Sequence, residues 1–264
     1  MLLEGQTVVI TGGASGIGQA AALQSLRLGA NVVIGDLSPA ALRTTEAAVE
    51  ASGFAERFAM HEIDVSSEVD MERLLRSAVG RFGDLDTVFN NAGSGMAVET
   101  VSELEVSDWD HAMAVLLRGP FLGIKHAVRI FHELGHGGSI VNTASAGGIL
   151  GGASSIAYST AKAGVIHLSR VAAVALAADR IRVNSLSPGV TLTPLSEDIS
   201  PDGSFFDTLQ PWPDHGVAED MANAFVFLAS SMSRFVTGHN LVVDGGLTVA
   251  SQLAEQLATE RPPR

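Results

Sequence analysis

A doubly wound α/β fold is what this 264-residue chain predicts: one domain, about seven parallel strands, helices on both faces. Three observations carry that expectation. Short β-branched runs alternate with longer amphipathic stretches from the first residues onward. The runs end in Gly, Asn or Asp, as buried strands tend to. A glycine-rich turn lies between the first run and the first helical pattern. Alternation of this kind specifies a parallel sheet covered on both faces.

The strands are expected at "TVVI" (7–10), "NVVI" (31–34), "FAMHEI" (58–63), "DTVF" (86–89), "SIVNTA" (139–144), "IRVNSLS" (181–187) and "LVVD" (241–244). Helical patterns fall between them at 16–28, 39–50, 67–81, 107–134, 156–177 and 218–229. In the fourth, Trp109, Met113, Leu116, Phe121, Ile124, Val128 and Phe131 recur at three- to five-residue spacing, a broad apolar stripe. No linker, repeat or low-complexity segment breaks the chain. The expected domain runs over 1–250, with a substrate lid at about 191–216 and a C-terminal tail at 251–264.

Composition excludes several function classes. The formal net charge of −13 argues against nucleic acid and anionic membrane as partners, since both need clustered Lys and Arg. Mean hydropathy is +0.28, but no run of about eighteen uncharged apolar residues suggests a membrane span. The start, "MLLEGQTVVITGG", lacks the basic segment and cleavage site of a secretion signal. With no cysteine there is neither a disulfide framework nor a thiolate metal site, which fits a cytoplasmic location.

"TGGASGIG", Thr11 to Gly18, follows the first strand and opens a helix. Such a turn sets unpaired backbone N–H groups and the positive helix end against a diphosphate. Gly12, Gly16 and Gly18 allow the tight turn and the close approach of backbone to phosphate. Asp36 stands eighteen residues after Gly18, at the end of the second strand. A carboxylate there accepts from the adenosine ribose hydroxyls and repels a 2′-phosphate, while Ser15 and Leu37 supply no cation to offset that repulsion. NAD is therefore expected over NADP. In "YSTAK", Tyr158 and Lys162 lie one helical turn apart on one face, where an ammonium is expected to lower the phenol's pKa. Tyr158 is the only tyrosine in the chain.

With these residues in view, the chain resembles the classical short-chain dehydrogenases/reductases from about residue 5 to 249. The resemblance rests on "TGGASGIG", "DV" at Asp64–Val65, "NNAG" at Asn90–Gly93, "YSTAK", "PGV" at Pro188–Val190 and "VDGG" at 243–246, all in the family's order. It implies a Rossmann-type doubly wound parallel sheet and hydride transfer between nicotinamide and a secondary alcohol or ketone. It implies Tyr158 as proton donor or acceptor, and Lys162 as the group that tunes Tyr158 and holds the nicotinamide ribose. Ser145, thirteen residues before Tyr158, would hydrogen-bond the substrate oxygen. Gly12, Ser15, Gly16, Ile17 and Gly18 would cradle the diphosphate, with Asp36 and Leu37 at the ribose. Asp64 and Val65 would meet the adenine. Asn90, Asn91, Ala92 and Gly93 would shape the pocket, and Pro188, Gly189, Val190 and Thr193 would contact the carboxamide end. The resemblance also implies a homotetramer or homodimer, with the helices holding Leu116 and Tyr158 at one interface.

The stretch between Thr193 and the helix near 218 holds five acids (Glu197, Asp198, Asp202, Asp207, Asp214) and no Lys or Arg. It also holds Phe205, Phe206, Leu209 and Trp212. A long irregular stretch of this kind is usually a lid or binding loop. Its charge disfavours anionic substrates and its aromatics favour a neutral, hydrophobic or cyclic alcohol or ketone.

Two features stand apart. "HELGH" matches the H-E-x-x-H zinc signature through His132, Glu133 and His136. Gly135 inside it and "HGGS" after it end the helix, so no metal site is expected, and a zinc hydrolase stands only as a rival from another class. The second is "AVLLRG", Ala114 to Gly119, where the family usually has asparagine at the position of Leu116. No asparagine occurs between Asn91 and Asn142 to take its place. In the family that amide helps hold a water beside the lysine. Three readings are open: the Leu116 backbone carbonyl or another group takes over; the chain binds NAD with weak or no turnover; or Leu116 is an introduced change.

Overall fold

The computed structural model describes residues 1–94, 100–194 and 209–250. The lid residues 195–208, with Phe205, Phe206 and four of the five lid acids, and the tail 251–264 lie outside the described residues. Seven strands form one parallel sheet. They are β1 (Thr7–Thr11), β2 (Asn31–Asp36), β3 (Phe58–Glu62), β4 (Thr87–Asn90), β5 (Ser139–Thr143), β6 (Arg182–Pro188) and, last in the chain, β9 (Asn240–Val243). Their spatial order is β3-β2-β1-β4-β5-β6-β9, so the order reverses between β1 and β4. Ligands of open parallel sheets bind beyond the strand carboxyl ends at such a reversal.

Among the described residues the α-helices are α1 (Gly16–Arg27), α2 (Pro39–Ala51), α3 (Glu68–Phe82), α4 (Val106–Met113), α5 (Gly119–Leu134), α6 (Ile156–Leu176) and α7 (Ala218–Ala229). Alternation along the strands sends successive side chains to opposite faces. Val8, Ile10, Val32 and Ile34 join α1, α2 and α7 in one core, where Phe225 stacks on Phe89 at 4.3 Å. Val9 and Val33 face the other way and pack with α3, α5 and α6. Both cores are fully buried, as the continuous β-branched runs require. Helix α6 is long and apolar enough to cross a bilayer by length and composition. In this fold it lies along β5 and β6 and carries the Tyr158–Lys162 pair.

Predicted and observed boundaries agree closely except at two places. The single helix expected over 107–134 is two α-helices joined through one π-helical turn, Ala114–Arg118. Pro120 accounts for this. It has no N–H to give the carbonyl four residues back, that of Leu116, and its ring crowds that carbonyl, so the α-helical ladder cannot pass. The chain widens instead, and Gly119 N–H donates to Ala114 O, five residues back. Phe121, assigned to the apolar stripe, is consequently 47% exposed, and Leu122 takes the inward position. The second difference lies where the lid was expected to be irregular. β7 (Thr191–Leu192) and β8 (Gly216–Val217) form a short parallel pair that fastens the two ends of that stretch together.

Candidate active site

The turn after β1 is built for a phosphate. Gly12 and Gly16 take positive φ values of 63° and 49°, which glycine alone adopts without strain. A Cβ on Gly12 would stand 2.7 Å from Ala92 Cα, so the loop presses directly on the "NNAG" segment. Ser15 caps α1 without any side-chain hydrogen bond, and no acid occupies the first turn. By contrast Ser38, Ser67 and Ser155 each cap their helices with the hydroxyl. The α1 terminus therefore keeps its dipole and N–H groups for an anion, which fits the diphosphate of a dinucleotide.

At the end of β2, Asp36 lines the same cavity, of about 490 Å³, with Leu37 beside it, 70% exposed. Its carboxylate also steadies the loop, accepting from Ala14 N–H at 3.1 Å and Ser38 N–H at 3.0 Å. Asp64 and Val65 after β3 line the adjoining wall, as do Ser15, Ile17, Ala92 and Gly93. Pro188, Gly189, Val190 and Thr193 line the cavity as well. Gly18 packs beneath the turn rather than along the cavity wall. A Cβ there would sit 2.0 Å from Gly12 O, so its role is to let the helix start press against the loop.

Asn91 lines the cavity, but its amide is engaged in holding the walls together. Its Nδ2 donates to Thr11 O and Gly12 O, and its Oδ1 accepts from Thr143 Oγ1. Thr11 and Thr143, which sequence reasoning did not single out, complete this buttress between β1, β4 and β5. Asn90 turns its side chain into the core. Its Nδ2 donates to Asn142 Oδ1 at 2.8 Å, and it fits only because Gly123 has no side chain.

Ser145, Tyr158 and Lys162 converge on the cavity from the end of β5 and the first turns of α6. Ser145 Oγ accepts from Gly147 N–H at 3.0 Å, and its hydroxyl also meets the Tyr158 hydroxyl. Lys162 is 3% exposed, its Nζ donating to Thr143 O at 2.6 Å and lying 5.6 Å from the Tyr158 ring centroid. Burial brings the ammonium down to about 8. Burial holds the Tyr158 phenol above its ordinary value, against the hydrogen bond from Ser145 that favours the phenolate.

Leu116 is fully buried against Ala112, Ala157 and Ala161, with Tyr158 packed on the same cluster. Its Cδ2 lies 3.3 Å from where a Cβ on Gly93 would stand, and Lys162 Nζ lies 4.0 Å from that point. The side chain offers no polar atom. Its carbonyl has lost its α-helical donor to Pro120. Sequence reasoning also passed over Ser94, His111 and Val115, which line the cavity beyond Gly93. The only local signal for the last two was their four-residue spacing on one helix face.

The "HELGH" residues are held by three separate partners. His132 Nε2 lies 3.1 Å from Asp179 Oδ2, Glu133 pairs with Arg76, and His136 Nε2 lies 2.9 Å from Asp84 Oδ1. Gly135 ends α5 at φ 78°, as its place in the sequence predicts.

Comparison with known proteins agrees with this geometry. The family profile described as Enoyl-(Acyl carrier protein) reductase matches residues 12–248. The chain is 39% identical to a borneol dehydrogenase of Lavandula x intermedia, over 95% of this chain and 93% of that protein. It is 39% identical to a cis-4-hydroxycyclohexanecarboxylate dehydrogenase of Sinomonas cyclohexanicum, over 92% and 96%. The crystal structure of levodione reductase superposes with a TM-score of 0.88 at 32% identity, covering 94% of this chain and all of that one. A cofactor turn, a carboxylate at the β2 end and a Ser–Tyr–Lys group at one cavity thus occur together in a chain that belongs to the short-chain dehydrogenase/reductase family of oxidoreductases.

Proposed function

We propose that the protein is an NAD-dependent dehydrogenase of neutral, hydrophobic, cyclic secondary alcohols, and a reductase of the matching ketones in reverse. The observation that carries this reading is the meeting of Ser145, Tyr158 and Lys162 at a cavity that Asp36 also lines. When bound, the nicotinamide supplies the acceptor for the carbinol hydride. Everything else falls to the chain. Ser145 donates to the substrate oxygen and orients it toward Tyr158. Tyr158, as phenolate, takes the hydroxyl proton while the hydride leaves carbon, so the alcohol loses one hydride and one proton to become a ketone. The Lys162 ammonium favours that phenolate by Coulomb attraction, against the burial that opposes it. Asp36 favours an adenosine ribose with a free 2′-hydroxyl.

The lid's acids and aromatics, and relatives named for borneol and a hydroxylated cyclohexane, support the substrate class. Exposed apolar residues on α5 and α6 (Phe121 and Ile156 with Val171 and Val174) suit association into a homodimer or homotetramer. Leu116 favours one rival, an NAD-binding protein of weak turnover. Borneol, cyclohexanol and a 3-hydroxysteroid, each offered with NAD and with NADP, test these readings together. The proposal expects reduced nicotinamide to form from NAD, with Asp36→Ala shifting the preference toward NADP by about tenfold or more. Turnover of charged substrates only, or a preference for NADP in the unaltered protein, would overturn it.

A further inference from the structure

The Lys162 ammonium has one hydrogen-bond partner among the described residues, the Thr143 carbonyl at 2.6 Å. Thr143 is the last residue of β5, 8% exposed, and its two oxygens serve different neighbours. While the carbonyl seats the ammonium, the hydroxyl donates to Asn91 Oδ1 at 3.1 Å. The direction of that bond is forced. Asn91 Nδ2 donates to Thr11 O at 3.2 Å and to Gly12 O at 3.3 Å, so the amide turns its oxygen to Thr143. An amide oxygen only accepts, and the threonine hydroxyl must therefore give the proton. Rotating the amide by half a turn would set its oxygen against two carbonyls. Asn91 and Ala92 also donate their backbone N–H groups to Thr11 Oγ1, at 3.0 and 3.1 Å. Gly12, at the end of this row, is the first positive-φ residue of the phosphate turn.

An unbroken row of hydrogen bonds thus runs from the ammonium on α6, across the ends of β5 and β4, to the turn after β1. Thr143 is the one residue in it that touches both the ammonium and the amide holding the turn. We infer that Thr143 is a positioning residue, coupling the seat of the Lys162 ammonium to the shape of the cofactor turn. A dinucleotide held by the turn and an ammonium held at the reacting group are then not independent, and loosening either is felt at the other. This deepens the dehydrogenase reading and rests on it for the roles of the turn and of Lys162. Contact alone does not establish such coupling; a double-mutant cycle measures it.

Thr143→Val keeps the carbonyl and the β-branched shape and removes only the hydroxyl, whereas Thr143→Ser keeps the hydroxyl. NAD affinity, followed by protein fluorescence, should fall about tenfold in Thr143→Val, one hydrogen bond's worth, and stay within about twofold in Thr143→Ser. In a Lys162→Met background, where the seat has lost its ammonium, adding Thr143→Val should cost about threefold or less. A buttress of the turn alone would cost the same in both backgrounds, and that result would overturn the coupling. A second measurement needs no cofactor. Exchange of the Asn91 and Ala92 amides should quicken about tenfold in Thr143→Val and in Lys162→Met, and not in Thr143→Ser. Unchanged exchange in Lys162→Met would overturn the inference and leave the proposed reaction standing. Faster exchange in both variants of a protein that binds no NAD would uphold the coupling while the dehydrogenase reading fails.

Discussion

Replacing Lys162 with methionine should make the protein more stable at neutral pH while removing its activity. The ammonium is 3% exposed, and burial brings it from 10.5 to about 8. Keeping it charged at pH 7 therefore costs about 3 kcal/mol relative to the unfolded chain. The bond to Thr143 O at 2.6 Å returns about 1–2 kcal/mol, which methionine forfeits. Methionine fills most of the same volume, so Lys162→Met should gain roughly 1–2 kcal/mol at pH 7. The pH dependence is the sharper signature. Because the folded state holds this proton less tightly than the unfolded state, wild-type stability rises as pH passes from about 8 toward 10.5. Lys162→Met lacks that rise, so its advantage should shrink by roughly 2–3 kcal/mol between pH 7 and pH 10. Urea unfolding of both proteins at the two pH values, followed by tryptophan fluorescence, reads the double difference. A difference that does not change with pH would refute the claim that burial strains this ammonium.

Gly18→Ala should cost about a hundredfold in cofactor affinity, because the new Cβ must move a backbone oxygen 2.0 Å away and displace the loop. Titration of protein fluorescence with NAD checks it, and unchanged affinity would show that the turn yields freely. Leu116→Asn should lower stability by about 3 kcal/mol, since it removes a fully buried leucine and places an amide in an apolar cluster. If the Leu116 position limits the proton path beside Lys162, the same variant should raise turnover or alter its pH profile. Pro120→Ala restores a donor to the Leu116 carbonyl and should stabilise α-helix through Ala114–Arg118, visible as slower amide exchange there.

The sheet was readable from sequence because its strands are buried on both faces, which forces the β-branched runs of Thr7–Thr11 and of Val32, Val33 and Ile34. The π-helical turn was hidden because a stripe tolerant of three- to five-residue spacing absorbs one extra residue. Pro120 and the five-residue step from Leu116 to Phe121 were its local traces. The β7–β8 pair had no local signal, since each partner is two residues long and is fixed only by the other. At the site, residue types and spacing located Tyr158, Lys162 and Asp36, and the family resemblance supplied Ser145. Their environment was not local in the same way. That Lys162 rests on Thr143 O, and that the Tyr158 phenol is raised, follow from burial contributed by several distant segments. The packing of Gly18 on the loop and of Asn90 against Gly123 was hidden too, since only the folded positions of Gly12 and Gly123 reveal it.

The central claim is that Tyr158 moves the proton while nicotinamide takes the hydride. Its most direct test follows nicotinamide reduction by a cyclic secondary alcohol in wild type and Tyr158→Phe, matched for bound NAD. The account predicts that wild type reduces NAD and that Tyr158→Phe, with cofactor affinity intact, is slower by about a thousandfold. Equal rates in the two proteins, at any alcohol that wild type oxidises, would contradict it.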